Sequence, residues 1–301
     1  MKDLSVIVPT KDEPTAPSII AELYKTFGKD TEVIVIDKSS NEELKRPLLK
    51  SGARVVTQSS KGYENALQEG FRLAKGEIIA TIDADGTYDV SDLKRVIDEL
   101  ATGDCGFVSG NRFGRLDPGA MTSSIKMGNI LITSLFNLLY RCSMRDVLSG
   151  SFAMRRDAYD SMRDEDPYRA GTVFFEIELR RRGYKLKNIP VHYGVRAVGS
   201  ESQISRAKPI YGITMAYHAI KYARDYQPML IFGGFGLILG AIGLILGLSV
   251  IAAFLITGVF NEIGRALIAF MLLTFGFLSI AVGLILDLLL EIERTMYKEK
   301  R

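Results

Sequence analysis

No charged residue stands between Asp225 and Glu262, and none between Arg265 and Asp287. An α-helix rises about 1.5 Å per residue, so roughly 20 apolar residues cross the hydrocarbon core of a bilayer. The run Met229 to Thr257 exceeds that length, and the run Ala266 to Leu286 meets it. Two such runs joined by Gly258 to Gly264 are too long for the core helices of a soluble domain. Gly236 and Gly240, like Gly243 and Gly247, are spaced to let two helices approach closely. The expectation is a transmembrane hairpin that fastens a water-soluble domain to a membrane.

Flanking charge sets the expected orientation. Lys221 and Arg224 precede the first run, and Arg294, Lys298, Lys300 and Arg301 follow the second, while the connection carries only Glu262 and Arg265. Positive flanks stay cytoplasmic, so both chain ends, and any active site, are expected on the cytoplasmic side of a cell or ER-type membrane. Met1 to Pro9 reads straight into a strand and lacks a signal-peptide pattern. Between Pro209 and Tyr226, Tyr211, Met215, Tyr217, Ile220 and Tyr222 interleave with Lys221 and Arg224, which predicts a helix lying in the membrane interface. The expected organisation is a domain over 1–206, a juxtamembrane amphipathic region over 207–227, two spans within 228–292 (about 229–257 and 266–290) and a basic tail over 293–301.

Composition narrows the chemistry of the soluble part. A net charge of +3 is too mild to argue for a nucleic-acid partner and suits a surface near anionic lipid. Cys105 and Cys142 make no metal or disulfide pattern. With His192 and His218 as the only histidines, a zinc centre or a Ser-His-Asp triad is disfavoured.

Short apolar runs alternate with helical patterns in this part. Leu4 to Val8, Glu32 to Ile36, Ala53 to Val56, Glu77 to Ile82 and Gly106 to Ser109 read as buried strands; Ser18 to Phe27, Glu42 to Lys50, Glu64 to Ala74 and Asp92 to Leu100 read as helices. That alternation predicts an α/β domain with a mostly parallel sheet. Beyond it, Asn111 to Thr122 reads as a loop, Ser123 to Tyr140 and Thr172 to Arg182 as helices, and Gly150 to Met154 and Lys187 to Val195 as strands.

Ligands of parallel α/β sheets bind at the carboxyl ends of the strands. Polar residues cluster there: Pro9-Thr10-Lys11-Asp12-Glu13, Asp37-Lys38-Ser39-Ser40, Lys61-Gly62, Asp83-Ala84-Asp85-Gly86 and Gly110-Asn111-Arg112. Extended backbone sends the Asp83 and Asp85 carboxylates to one side, where they repel unless a positive charge lies between them. A hard divalent cation, Mg2+ or Mn2+, suits such oxygen ligands when phosphate oxygens complete its shell.

In order along the chain, Ser5-Val-Ile-Val-Pro-Thr-Lys-Asp-Glu13, Val33-Ile-Val-Ile-Asp37, Lys61-Gly62, Asp83-Ala-Asp85, Gly110-Asn-Arg112, Asp146-Val-Leu-Ser-Gly150, Phe174-Phe-Glu-Ile-Glu178 and Ile189-Pro-Val191 resemble the inverting family 2 glycosyltransferases of GT-A fold. Together with the paired C-terminal spans they resemble the polyprenyl-phosphate branch, which includes dolichyl-phosphate mannose synthases and related glucosyl and N-acetylglucosaminyl transferases. The resemblance implies a GT-A nucleotide-binding domain followed by interfacial helices and a two-helix membrane hairpin. The implied reaction moves a sugar from a nucleotide-sugar donor to a membrane polyprenyl or dolichyl phosphate. The Asp85-Gly-Thr-Tyr88 continuation leans towards UDP-glucose or UDP-N-acetylglucosamine, with GDP-mannose as the alternative.

Carried over by the resemblance, Pro9, Thr10, Glu13 and Asp37 line the nucleoside, Lys61 and Gly62 lie by its pocket, Asp83 and Ala84 hold the nucleotide-sugar, and Asp85 coordinates the metal. Arg112 and Arg196 are candidates for the acceptor phosphate, Arg112 with a catalytic role, and Glu176 for a sugar contact. The chain departs from the pattern at three places: Lys38 replaces a second acid, Ser151 precedes Phe152 where an aromatic residue is usual, and Ser200-Glu-Ser-Gln203 lacks the usual lysine, for which Arg206 or Lys208 are the substitutes at hand. A processive polysaccharide synthase is the further alternative, but the chain has only two expected spans and no tryptophan for an acceptor-binding Q-x-x-R-W motif. A degenerate, non-catalytic membrane scaffold is disfavoured by Asp83, Asp85 and the Pro9/Glu13 strand end. Assembly into a homo-oligomer is left open.

Overall fold

A computed structural model describes residues 3–140, 142–162, 172–196 and 227–299. The chain divides into two compact units, Met1–Ala216 and Tyr217–Arg301. The expected interfacial helix of Pro209 to Tyr226, Gln203 and its substitutes Arg206 and Lys208 lie outside the described residues.

The first unit is built on one seven-stranded sheet in the order β3-β2-β1-β4-β6-β5-β7. Strand β1 (Leu4–Thr10) is buried at every position, the pattern of a central parallel strand covered on both faces. It runs parallel to β2 (Glu32–Asp37) on one side and β4 (Ile78–Thr81) on the other. Strand β3 (Arg54–Thr57) extends the parallel set. Alternation along β1 divides its side chains between two layers. Leu4, Val6 and Val8 join the core with α1 (Ala16–Phe27) and α4 (Val90–Thr102). On the other layer Gly70 of α3 (Tyr63–Leu73) lies so near Ile7 that a Cβ there would come within 2.3 Å of Ile7 Cγ2. The short α2 (Glu42–Leu49) is capped by Asn41, whose side chain accepts from the Glu43 N–H at 2.9 Å.

Strand β6 (Phe152–Arg155) is antiparallel to both neighbours, β4 and β5. Strand β5 (Phe107–Leu116) is longer than its sequence suggests: Asn111 to Leu116, expected as loop, continue the strand. They pair in parallel with β7 (Leu186–Tyr193) across a register shift between Asn111 and Arg115. An irregular pairing of polar residues leaves no apolar alternation to read. Helix α5 (Ser123–Tyr140) buries Thr133, Phe136, Leu139 and Tyr140. Helices α6 (Arg156–Asp160) and α7 (Thr172–Arg181) close this unit, and Phe71, Phe152, Tyr159 and Phe175 meet edge-on or tilted around one apolar centre.

The second unit is a helical hairpin. A π-helical turn (Met229–Gly233) leads into α8 (Gly234–Thr257); Gly258, in the left-handed region at φ 70°, ends it before α9 (Ile263–Glu299). Met229–Thr257 and Ile263–Ile292 are long and apolar enough to cross a membrane. Only 11% and 17% of their most apolar stretches are buried, whereas a core helix of a soluble protein would be mostly covered. The helices meet at glycine. A Cβ on Gly236 would lie 2.5 Å from the Gly276 carbonyl oxygen, and one on Gly276 would lie 2.7 Å from the Gly236 oxygen. Close backbone approach substitutes for the hydrophobic drive that lipid removes.

That contact gives a direct expectation. Gly236→Leu forces the helices apart and is expected to cost about 1–3 kcal/mol of hairpin stability, read as a lower SDS concentration for unfolding in mixed micelles. Gly264→Leu, whose added Cβ meets nothing within 4 Å, is expected to shift that midpoint little.

Candidate active site

The carboxyl ends of β1, β2 and β4, and the turn before α3, meet at one edge of the sheet. Strand β4 ends in Asp83-Ala84-Asp85, and the turn that follows fixes Asp85. Asp85 Oδ1 accepts from the Thr87 N–H at 3.0 Å and the Thr87 hydroxyl at 2.6 Å. The same turn is tied down by the Thr15 hydroxyl, which donates to the Ala84 carbonyl at 2.6 Å. Asp85 is nearly buried, and its other oxygen, Oδ2, meets Arg196 Nη2 at 2.5 Å. Arg196 Nη1 lies 3.6 Å from Glu13 Oε1, so one guanidinium bridges two acidic side chains from β4 and the end of β1.

Asp83 is partly buried and receives the Tyr63 hydroxyl on Oδ1 at 2.8 Å. Removal from water, and then the neighbouring Asp85 charge, push the Asp83 carboxyl up to about 7. Its Oδ2 lies against Gly150, where a Cβ would be only 2.0 Å away.

The expected nucleoside residues also gather here. Pro9 and Thr10 are buried at the end of β1, and Thr10 Oγ1 has no partner among the described residues. Asp37 is buried, with Oδ1 accepting from the Ser39 N–H at 3.0 Å and hydroxyl at 2.6 Å. Lys38, which stands where a second acid was expected, donates from Nζ to the Gln58 carbonyl at 2.9 Å. Asp12, left-handed at φ 53°, takes the Ser40 and Asn41 N–H groups on Oδ1 and ties the loop after β1 to the loop after β2. Lys61 and Gly62 are exposed, and the Gly62 carbonyl accepts from Gln58 Nε2 at 2.7 Å.

Two expected site residues lie deeper. Arg112 is held by Asp146 through a fork: Nε to Oδ2 and Nη2 to Oδ1, each 2.7 Å, with the Arg112 N–H also on Oδ2 at 3.1 Å. Its guanidinium carbon lies 5.6 Å from the centre of the Tyr193 ring. Burial opposes the charge of Arg112, but the Asp146 carboxylate more than offsets it and holds the guanidinium protonated. Glu176 sits in the interior beside Asp146 and Ser109, 2% exposed, with Oε2 lacking a hydrogen-bond partner among the described residues. Burial, then Asp146, raise its carboxyl well above the ordinary range, which favours the protonated acid.

Sequence reading missed several participants. Thr87 and Asp146 lie inside motifs already singled out, while Tyr63 and Tyr193 carry no local signal. Among the described residues no group of three His, Cys, Asp or Glu side chains forms a metal cage. A divalent cation here would rest on Asp85 and on phosphate oxygens from a ligand. The donor set fits that role: Asp85 Oδ1 is fixed by Thr87, and Oδ2 already takes a positive group.

Comparison with known proteins gives the family. The model for Glycosyl transferase family 2 matches residues 5–163. The chain belongs to that family. It is 28% identical to glycosyltransferase AglJ of Haloferax volcanii over 97% of this chain and 95% of that protein. It is also 28% identical to the dolichyl-phosphate hexose transferase of the same organism, over 65% of this chain and 84% of that one. Among solved structures, glucosyl-3-phosphoglycerate synthase from Mycobacterium tuberculosis, crystallised with Mn2+, UDP and phosphoglyceric acid, superposes with a TM-score of 0.56. That likeness covers 74% of this chain and 78% of the other at 20% identity, and it bears on the fold.

The buried Glu176 sets a pH dependence. Its folded value lies above the ordinary 4.5, so between the two the folded chain binds more protons than the unfolded one, and stability falls as pH rises. Glu176→Gln keeps the shape of the protonated acid and is expected to raise the thermal midpoint at pH 8 and flatten its decline above pH 5. A lower midpoint for the variant at pH 8 would contradict a raised Glu176 carboxyl.

Proposed function

We propose that this chain transfers a hexose from a nucleoside diphosphate to the phosphate of a polyprenyl or dolichyl lipid, with inversion at the anomeric carbon. UDP-glucose or UDP-N-acetylglucosamine is the donor class. The Asp85 carboxylate, with one oxygen fixed and the other holding a positive group, carries this reading. The name of the dolichyl-phosphate hexose transferase and the two long apolar helices support a lipid acceptor. The positive flanks of those helices support a cytoplasmic site.

The acceptor chemistry asks little of the protein. A phosphate monoester has a second pKa of about 6, so at neutral pH it is already a dianion and a nucleophile. A general base is unnecessary, which agrees with the scarcity of histidine. In glycosyl transfer, positive charge grows at the anomeric carbon while negative charge grows on the leaving diphosphate. Asp85 would hold Mg2+ or Mn2+, which supplies Lewis-acid stabilisation of that leaving group. Asp37, Thr10 and Glu13 seat the nucleoside, Lys61 and Gly62 border it, and Asp83 with Ala84 orients the sugar. Arg196, released from Asp85 and Glu13, is the cation placed to meet a phosphate. Arg112, its charge balanced by Asp146, anchors the Asp146-to-Gly150 segment behind the site.

Asp85→Asn removes the charge and keeps the Thr87 contacts to Oδ1. It is expected to reduce transfer to polyprenyl phosphate at least a hundredfold with an unchanged thermal midpoint, and to abolish stimulation by Mn2+. A folded variant with normal Mn2+-dependent turnover would contradict the assignment.

A further inference from the structure

Tyr63 opens α3 directly after the Lys61-Gly62 turn. Gly62 has φ 110°, a conformation L side chains rarely adopt, so the turn that aims Tyr63 is set by a glycine. The Tyr63 hydroxyl reaches across to β4 and donates to Asp83 Oδ1 at 2.8 Å. Among the described residues it is the one side chain that hydrogen-bonds the Asp83 carboxylate. On the opposite side Asp83 Oδ2 rests on Gly150, at a spacing that leaves no room for a methyl group. Gly150 is itself fixed, its N–H donating to the Tyr88 hydroxyl at 2.8 Å.

The carboxylate is therefore clamped between two tyrosines, by Tyr63 directly and by Tyr88 through Gly150. The terminal torsion of an aspartate is broad, and this clamp chooses one orientation for a carboxylate beside a like charge. The oxygen that accepts from Tyr63 keeps a second lone pair for a ligand hydroxyl. The same tyrosine links Asp83 to the Gly62 turn at the nucleoside end, where Gln58 Nε2 grips the Gly62 carbonyl.

We propose that Tyr63 is a positioning residue for donor recognition: it orients Asp83 to accept a hydroxyl of the transferred sugar, and so selects the sugar-bearing nucleotide over the bare diphosphate. This rests on the transferase reading with Asp83 at the donor. A hydroxyl pair that contributes nothing to the nucleotide half of the ligand makes a distinctive signature. Loss of the Tyr63 hydroxyl weakens the nucleotide-sugar and spares the nucleoside diphosphate.

The test is calorimetric titration of the full chain in detergent micelles, with Mn2+ present, using UDP and UDP-glucose. Tyr63→Phe is expected to bind UDP within twofold of the unaltered chain and UDP-glucose about tenfold more weakly, the size of one hydrogen bond to a charged group. In an Asp83→Asn background the same change is expected to cost nothing further, since both act through one contact. Gly150→Ala, which pushes the carboxylate from the other side, is expected to give the same split. Equal weakening of both ligands by Tyr63→Phe, no weakening of either, or a loss that persists without Asp83 would overturn the proposal. If the unaltered chain favours UDP-N-acetylglucosamine or GDP-mannose, that donor and its diphosphate replace the pair. If it binds none of the three, the transferase reading falls with the proposal, whereas normal binding with an indifferent Tyr63→Phe removes only the role of Tyr63.

Discussion

Asp83 and Asp85 stand two residues apart at the end of a central strand, where like charges in a water-poor setting repel. Much of the surrounding structure answers that repulsion. Thr87 holds one oxygen of Asp85, Arg196 neutralises the other, and Tyr63 donates to Asp83. The sheet topology supplies the rest. Because β6 runs antiparallel to β4, with Phe152 opposite Thr81, the chain entering β6 arrives at the carboxyl end of β4. That is how Gly150 comes to lie on Asp83. A parallel strand in the same place would begin at the far edge, and the Asp146-to-Gly150 segment would miss the site.

A second charged group supports the first from within. The Arg112–Asp146 pair is buried, and burying an ion pair costs more than it returns unless the geometry is good and the remaining donors are used. Here the guanidinium makes two parallel bonds, the Arg112 backbone N–H adds a third, and Asn188 accepts the Arg145 and Asp146 N–H groups on its side-chain oxygen. Arg112 also lies over Tyr193, whose ring packs edge-on against Tyr88. Tyr88 in turn holds Gly150. The interior pair and the Asp83 carboxylate are thus joined through named contacts, while burial and the nearby Asp146 raise the Glu176 carboxyl above the ordinary range.

Much of this was legible in the sequence, and the reason is locality. A fully buried parallel strand writes a continuous apolar run, so β1, β2 and β4 could be read from a few residues each, and the polar residues just past them marked the site edge. The charge-free runs after Asp225 showed the hairpin helices in the same way. What escaped reading was long-range. The extension of β5 through Arg115 depends on an irregular partner in β7, and polar residues there mask the strand. Tyr63 looks like any aromatic on a helix until α3 brings it to Asp83. Arg112 reads as a candidate phosphate contact, and only the fold turns it towards Asp146. Glu176 reads as a candidate sugar contact, and only the fold shows it buried, with its carboxyl raised above the ordinary range.

Membership of glycosyl transferase family 2 and a pair of helices able to cross a membrane together underlie the proposal that the acceptor is a lipid phosphate. Incubation of the full chain with radiolabelled UDP-glucose, UDP-N-acetylglucosamine or GDP-mannose, Mn2+ and a polyprenyl phosphate in micelles tests this most directly. The account expects one labelled UDP-sugar to enter the organic phase as a lipid-linked product, with little transfer to a water-soluble sugar. Equal transfer to a soluble sugar, or no labelled lipid from any of the three donors, would contradict it.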